Sequence, residues 1–112
     1  LASISWNLSR DSLNAALSNA EADLLTVASG HTYTVLSILI CETGAAAETF
    51  DLYVRDDAGG NDYYIYKAQA IASNATFEHT SKFVLTATDV LSGRTADSAN
   101  LDVVISYLDQ TL

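Results

Sequence analysis

Two histidines, His31 and His79, one cysteine, Cys41, and an acidic loop at 56–62 hold the side chains best suited to chemistry. Nucleophilic hydrolysis requires a hydroxyl or thiol, a base within hydrogen-bond reach and a group that orients the base. The sequence has neither a Gly-x-Ser-x-Gly elbow nor a Ser-x-x-Lys pair. His31 and His79 are therefore expected as surface or hydrogen-bonded residues, and no catalytic residue is assigned. Cys41 ends the apolar run Ile38-Leu39-Ile40-Cys41 and is expected as a buried thiol. Two histidines and a cysteine at 31, 79 and 41 match no zinc pattern. A hard cation needs several oxygens close together, and Asp56-Asp57-Ala58-Gly59-Gly60-Asn61-Asp62 is the one segment of that density. Asp56, Asp57 and Asp62 are the calcium candidates, although the loop lacks the alternating ligands and closing glutamate of a helix-loop-helix site. The competing reading is a solvated hairpin loop in which Gly59-Gly60 supplies positive φ. Beside it, Tyr63, Tyr64 and Tyr66 could stack against a sugar, as in a carbohydrate-binding module, or pack as ordinary strand aromatics. No cofactor is implied.

The elements that must position these residues read as strands. Ile4, Trp6 and Leu8 alternate with Ser3, Ser5, Asn7 and Ser9, a period of two. From 10 to 19 the spacing of Leu13, Ala16 and Leu17 changes to three and four, compatible with a short helix or an irregular continuation. Residues 1–19 are thus read as an N-terminal arm and 20–112 as the domain. Short alternating segments follow at about 21–27, 33–42, 49–55, 63–67, 76–79, 82–85, 90–95 and 100–108, separated by Gly, Asn, Asp and Ser. Seven or eight such strands in so short a span predict an all-β chain forming a single antiparallel, jelly-roll-like sandwich. The expected core is Leu36, Ile38, Ile40, Phe50, Leu52, Val54, Ile65, Phe77, Leu101, Val103 and Ile105.

The strand from 33 to 41 is apolar at both parities: Leu36, Ile38 and Ile40 suit the core, yet Tyr33, Val35, Leu39 and Cys41 suit burial as well. Something must then cover its outer face, either the arm or a neighbouring subunit. Ile4, Trp6, Leu8, Tyr33, Val35 and Leu39 are the candidate interface, which points to a homo-oligomer or a larger assembly. With 112 residues, 14 acidic against 5 basic side chains and a net charge of −9, the summed field repels nucleic acid. The apolar run at 38–41 is far shorter than the roughly 20 residues of a spanning helix, so no membrane contact is expected.

The ordered landmarks run from Ala22-Asp23-Leu24-Leu25-Thr26-Val27-Ala28-Ser29-Gly30-His31-Thr32 into Ser37-Ile38-Leu39-Ile40-Cys41-Glu42-Thr43. They continue through the turn Gly44-Ala45-Ala46-Ala47, the strand Phe50 to Arg55, Tyr64-Ile65-Tyr66 and Ala72-Ser73-Asn74-Ala75-Thr76-Phe77-Glu78, and close with Val103-Val104-Ile105-Ser106-Tyr107-Leu108. Over roughly residues 20 to 110 this resembles a family of small virion structural proteins of tailed bacteriophages. The chain departs from that family at Ala28 and Ala72, where members usually carry proline. The resemblance implies a non-enzymatic β-sandwich made in the host cytoplasm and carried on the virion, most simply on the capsid exterior. There it would act as a decoration or cement protein, with the major capsid protein or another virion protein and further copies of itself as partners. A tail, neck or fibre position is the alternative within that class.

Overall fold

The computed structural model describes residues 5–56, 60–97 and 100–111, with side chains from residue 11 onward. Among these, nine strands form: β1 (Ser5–Leu17), β2 (Ala22–Thr26), β3 (His31–Glu42), β4 (Glu48–Arg55), β5 (Asp62–Ile71), β6 (Thr76–His79), β7 (Phe83–Leu85), β8 (Val90–Thr95) and β9 (Leu101–Thr111). They make two antiparallel sheets. One has the order β1-β9-β3-β6, with β7 continuing the same edge of β3, and the other has the order β2-β8-β4-β5. The all-β sandwich expected from the alternation is the architecture found.

Between the sheets lie Leu24, Ile38, Ile40, Phe50, Leu52, Leu91, Leu101, Val103 and Ile105, all buried. Of the expected core, Val54, Ile65 and Phe77 pack against this cluster while partly exposed. Leu36 is displaced from it. On one long side the sandwich is closed by rings, with Phe77 lying 5.3 Å from Phe50 and 4.9 Å from Tyr66 in edge-to-face contact. On the other side polar side chains close it: Ser12 Oγ and Asn14 Nδ2 both donate to the Leu24 carbonyl, at 2.8 and 3.1 Å.

Three expectations are corrected here. The stretch from 10 to 17 is not helix but the second half of β1, whose partner is β9, from Ser5 opposite Thr111 to Leu17 opposite Leu101. The boundary at residue 19 accordingly cuts through the sandwich, since β1 is an edge strand of the five-stranded sheet and Leu17 sits in the core. The double-sided apolarity of β3 has an internal cause. Val35 faces Tyr107 and Ser37 faces Ser106, so Leu36 is an extra residue, a β-bulge that reverses which parity points inward. Before the bulge Tyr33 and Val35 are buried; after it Ile38, Ile40 and Glu42 are buried.

Three of the edge strands are bulged as well, whereas β6 and β7, which share the other edge of the five-stranded sheet, pair with β3 without a register shift. The register slips twice in β1, once in β2 and twice in β5, and each time the extra residue is on the edge strand. In β5 one irregularity is fixed by Ala68, which takes φ 51° and donates its N–H to Asp51 Oδ1 at 2.8 Å. An irregular edge pairs poorly with a foreign strand, so sheet extension from β1, β2 and β5 is disfavoured, and β6 and β7 are only 4 and 3 residues long.

Candidate functional site

The side chains singled out in the sequence are dispersed by the fold. Ile4 lies outside the described residues, as do the side chains of Trp6 and Leu8; the backbone of Trp6 pairs with Gln110 of the same chain. Tyr33 and Val35, 8% and 0% exposed, belong to the chain's own core, and the bulge at Leu36 is the reason they cannot serve as interface. Leu39, beyond the bulge, is 37% exposed on the outer face. Cys41 follows the same parity, so the thiol is half-buried on that outer face, not enclosed as expected.

Of the calcium candidates, Asp57 lies outside the described residues. The loop is closed by two backbone bonds, from the Asp56 N–H to the Asn61 carbonyl at 2.9 Å and from the Gly60 N–H to the Asp56 carbonyl at 2.6 Å. Among the described residues no group of three His, Cys, Asp or Glu side chains is close enough to hold a metal ion. The three tyrosines do not form a platform. Tyr64 opposes Tyr53 on the outer side of the four-stranded sheet, whereas Tyr66 opposes Leu52 and points inward to Phe50, Phe77 and His79. An extra residue, Ile65, separates them and turns their rings to opposite faces. Tyr63 and Tyr64 both border a groove of about 330 Å³ with Ile65, His79 and Phe83 where β5 meets the β6–β7 connection, and Tyr66 does not line it.

Both histidines are structural ties. His79 is buried with Nε2 2.7 Å from the Ser81 carbonyl, so Nε2 carries the proton and Nδ1 accepts from the Tyr66 hydroxyl at 2.7 Å. His31 places Nδ1 2.7 Å from Oδ1 of the buried Asp109, tying β3 to the end of β9. The most elaborate polar site was not anticipated. Glu42 is 2% exposed, and its carboxylate accepts the N–H groups of Gly44 at 2.7 Å, Ala46 at 3.1 Å and Asn74 at 3.1 Å. The Asn74 N–H above all, then those of Gly44 and Ala46, hold the carboxyl below its usual range against the opposing push of burial. This is a buried fastener for two turns. A glutamate two residues before Gly44 is its only mark in the sequence.

The two outer faces differ in kind. That of the four-stranded sheet is charged and internally paired. Arg55 Nη1 reaches Asp23 at 3.0 Å and Glu21 at 3.4 Å, and Arg94 Nε reaches Asp51 at 3.4 Å. Lys67 Nζ lies 4.4 Å over the Tyr64 ring. Beneath them Tyr53 is fully buried and donates its hydroxyl hydrogen to Glu21, burial first and that carboxylate second pushing the phenol up. On the five-stranded sheet, Leu13 opposes Val104 and Val104 opposes Leu39, an apolar bar crossing β1, β9 and β3. Leu13 is 74% exposed. This bar is the candidate site, an exposed apolar row on an outer sheet face.

No protein-family profile matches the chain, and no curated protein matches its sequence. Solved structures do resemble it. A chain from the acid-stable capsid of Helicobacter pylori bacteriophage KHP30 superimposes with a TM-score of 0.63 at 11% identity, over 95% of this chain and 91% of that one. A chain of the Bacillus endospore appendages, described as disulfide-linked pili, gives 0.54 at 16% identity over 97% and 88%. A chain of infectious bursal disease virus, Gx strain, gives 0.47 at 8% identity over 91% and 32%. At these identities what the chain shares with the first two is the fold alone, a two-sheet β-sandwich.

Proposed function

We propose that this chain is a non-enzymatic structural protein of a virion and, more specifically, a capsid decoration or cement protein. It binds the outer capsid surface, bridges capsomers and contacts further copies of itself. The observation that carries this reading is the end-to-end superposition on a chain of a phage capsid, in which nearly all of both chains is used. The same reading accounts for the design of the surface, because the polar clusters lock turns and strands together while a sheet face is left apolar. The net charge of −9 suits the outside of a shell better than the side facing packaged DNA.

The test is made on purified particles of the phage that encodes the chain. Mass spectrometry of tail-free, DNA-filled heads is expected to find the chain in fixed ratio to the major capsid protein. Heads assembled without it are expected to release DNA at a lower temperature. Absence from particles overturns the reading, and recovery only with tail fractions assigns the chain to the tail, neck or fibre instead.

A further inference from the structure

The outer face of the five-stranded sheet combines an apolar centre with an acidic border. Across its middle run Leu13, Val104 and Leu39, and farther along the strands Val84, 58% exposed, opposes Thr34. Around the bar stand carboxylates. Glu78 opposes Leu39 at one end, Asp102 opposes Cys41 in the next row, and Asp11 opposes Ser106 in the row on the other side. Among the described residues on the strands of this sheet no lysine or arginine faces outward; Lys82 is exposed in the β6–β7 connection at its edge, and the side chain of Arg10 on β1 lies outside the described residues. Arg55, Arg94 and Lys67 are all held on the opposite sheet, by Asp23, Asp51 and the Tyr64 ring.

Charge selects the occupant. Pairing the bar with a second copy of itself would bring Asp11, Glu78 and Asp102 against the same three carboxylates, and like charges brought together at a forming interface oppose it. Sheet extension is opposed by the bulges on β1, β2 and β5 and by the shortness of β6 and β7, 4 and 3 residues long. We infer that this face docks a protein surface that is apolar at its centre and bordered by lysine or arginine. This deepens the function proposed above and rests on it for the source of that surface, the capsid exterior; contacts between copies then fall to other parts of the molecule.

The experiment has two independent probes of the full chain. One is heads assembled without it. The other is a short amphipathic helical peptide with a leucine stripe bordered by lysines, alongside a twin bordered by glutamates. Cys41, the single thiol, lies on the same face beside Leu39 and reports docking by its rate of alkylation. Expected results are binding of the wild type to heads, weakened at least about tenfold in the Leu13→Asp, Leu39→Asp double variant. The Asp11→Asn, Glu78→Gln variant is expected to bind about two- to fivefold more weakly and with a flatter salt dependence. Lys67→Glu, on the opposite face, is expected to bind as the wild type does. The lysine peptide should protect Cys41 and shift amides of β1, β9 and β3, and the glutamate peptide should do neither. Both leucines are exposed, so unchanged thermal melting of the double variant is the folding control.

Heads that bind the double variant as tightly as wild type overturn the docking face and leave the capsid reading standing. Heads that bind no form of the chain, while the lysine peptide still maps to this face, overturn the capsid reading and leave the chemistry of the face standing. A wild type that sediments as a dimer, dissociated by the leucine changes, assigns the face to a second copy and overturns the inference.

Discussion

Glu42 illustrates how a residue acquires a role that its own neighbourhood in sequence barely marks. Its carboxylate gathers N–H groups from the turn that follows β3 and from Asn74, which comes to it from the connection before β6. Asn74 takes φ 56°, so the bond also holds a backbone conformation that a non-glycine residue adopts at a cost. The folded-state carboxyl lies below the ordinary value of 4.5. A group depressed in this way contributes stability that is fully present above its unfolded pKa and is lost as pH falls through the folded value. Glu42→Gln, which cannot carry the charge, is therefore expected to melt below wild type at pH 7. The difference should shrink progressively as pH falls below about 4. Melting curves of the two proteins across that range check it, and a gap that stays constant or widens in acid would mean that Glu42 acts through packing alone. Reading this site from sequence was blocked because Glu42 and Asn74 are 32 positions apart.

At the scale of the strand, alternation between polar and apolar residues marks β2, β3, β4, β6, β7 and β8 within two residues of their observed bounds, but yields only 63–67 of β5 and stops β9 at 108. β1 was divided into a strand-like half and an ambiguous half because Ala16, with φ 54°, and the bulge between Asn14 and Leu17 break its period of two. β3 was misread for a related reason. Its extra residue is a leucine among apolar neighbours, so nothing in hydropathy marks where the inward parity changes. The bulge makes a sharp prediction. Leu36 is only partly buried, and Leu36→Ala should cost no more than about 1–2 kcal/mol. Deleting Leu36 removes the same side chain and in addition shifts the register, sending either Tyr33 and Val35 or Ile38 and Ile40 to the solvent side. The deletion is expected to abolish cooperative unfolding, read by denaturant titration with circular dichroism. A deletion variant as stable as Leu36→Ala would show that β3 tolerates both registers. Truncation separates the halves of β1 in the same way. Removing residues 1–9 leaves the pairs from Arg10–Tyr107 to Leu17–Leu101 intact, whereas removing residues 1–17 takes away a core residue and uncovers β9. The shorter truncation is expected to fold with a lowered melting temperature, and the longer one not to fold at all.

For the whole molecule the deciding quantity is the balance between net charge and ion pairs, and it too can be worked out from magnitudes. The excess of 14 acidic over 5 basic side chains was plain in the sequence. Their sorting, with Arg55, Arg94 and Lys67 on one sheet and the carboxylates of Asp11, Glu78 and Asp102, which form no ion pair among the described residues, around the other, required the strand order. Attraction comes from a few pairs: Arg55 with Asp23 and Glu21, Arg94 with Asp51, and His31 with Asp109 when protonated. The arginine pairs, which are partly exposed, contribute about 0–1 kcal/mol each, and added salt weakens them. Repulsion acts among many more groups over longer distances, and salt reduces the Debye length to about 10 Å at 0.1 M, which screens the distant terms first. Repulsion therefore loses more than attraction when salt is added. The melting temperature is expected to rise between low ionic strength and about 0.1–0.2 M sodium chloride, then change little until salting-out effects enter. Scanning calorimetry at fixed neutral pH and low protein concentration measures this directly. A melting temperature that falls over the same range would place the stabilising electrostatics in the Arg55 and Arg94 clusters, and would predict that Arg94→Gln and Arg55→Gln each remove the salt dependence in proportion to the pairs they break.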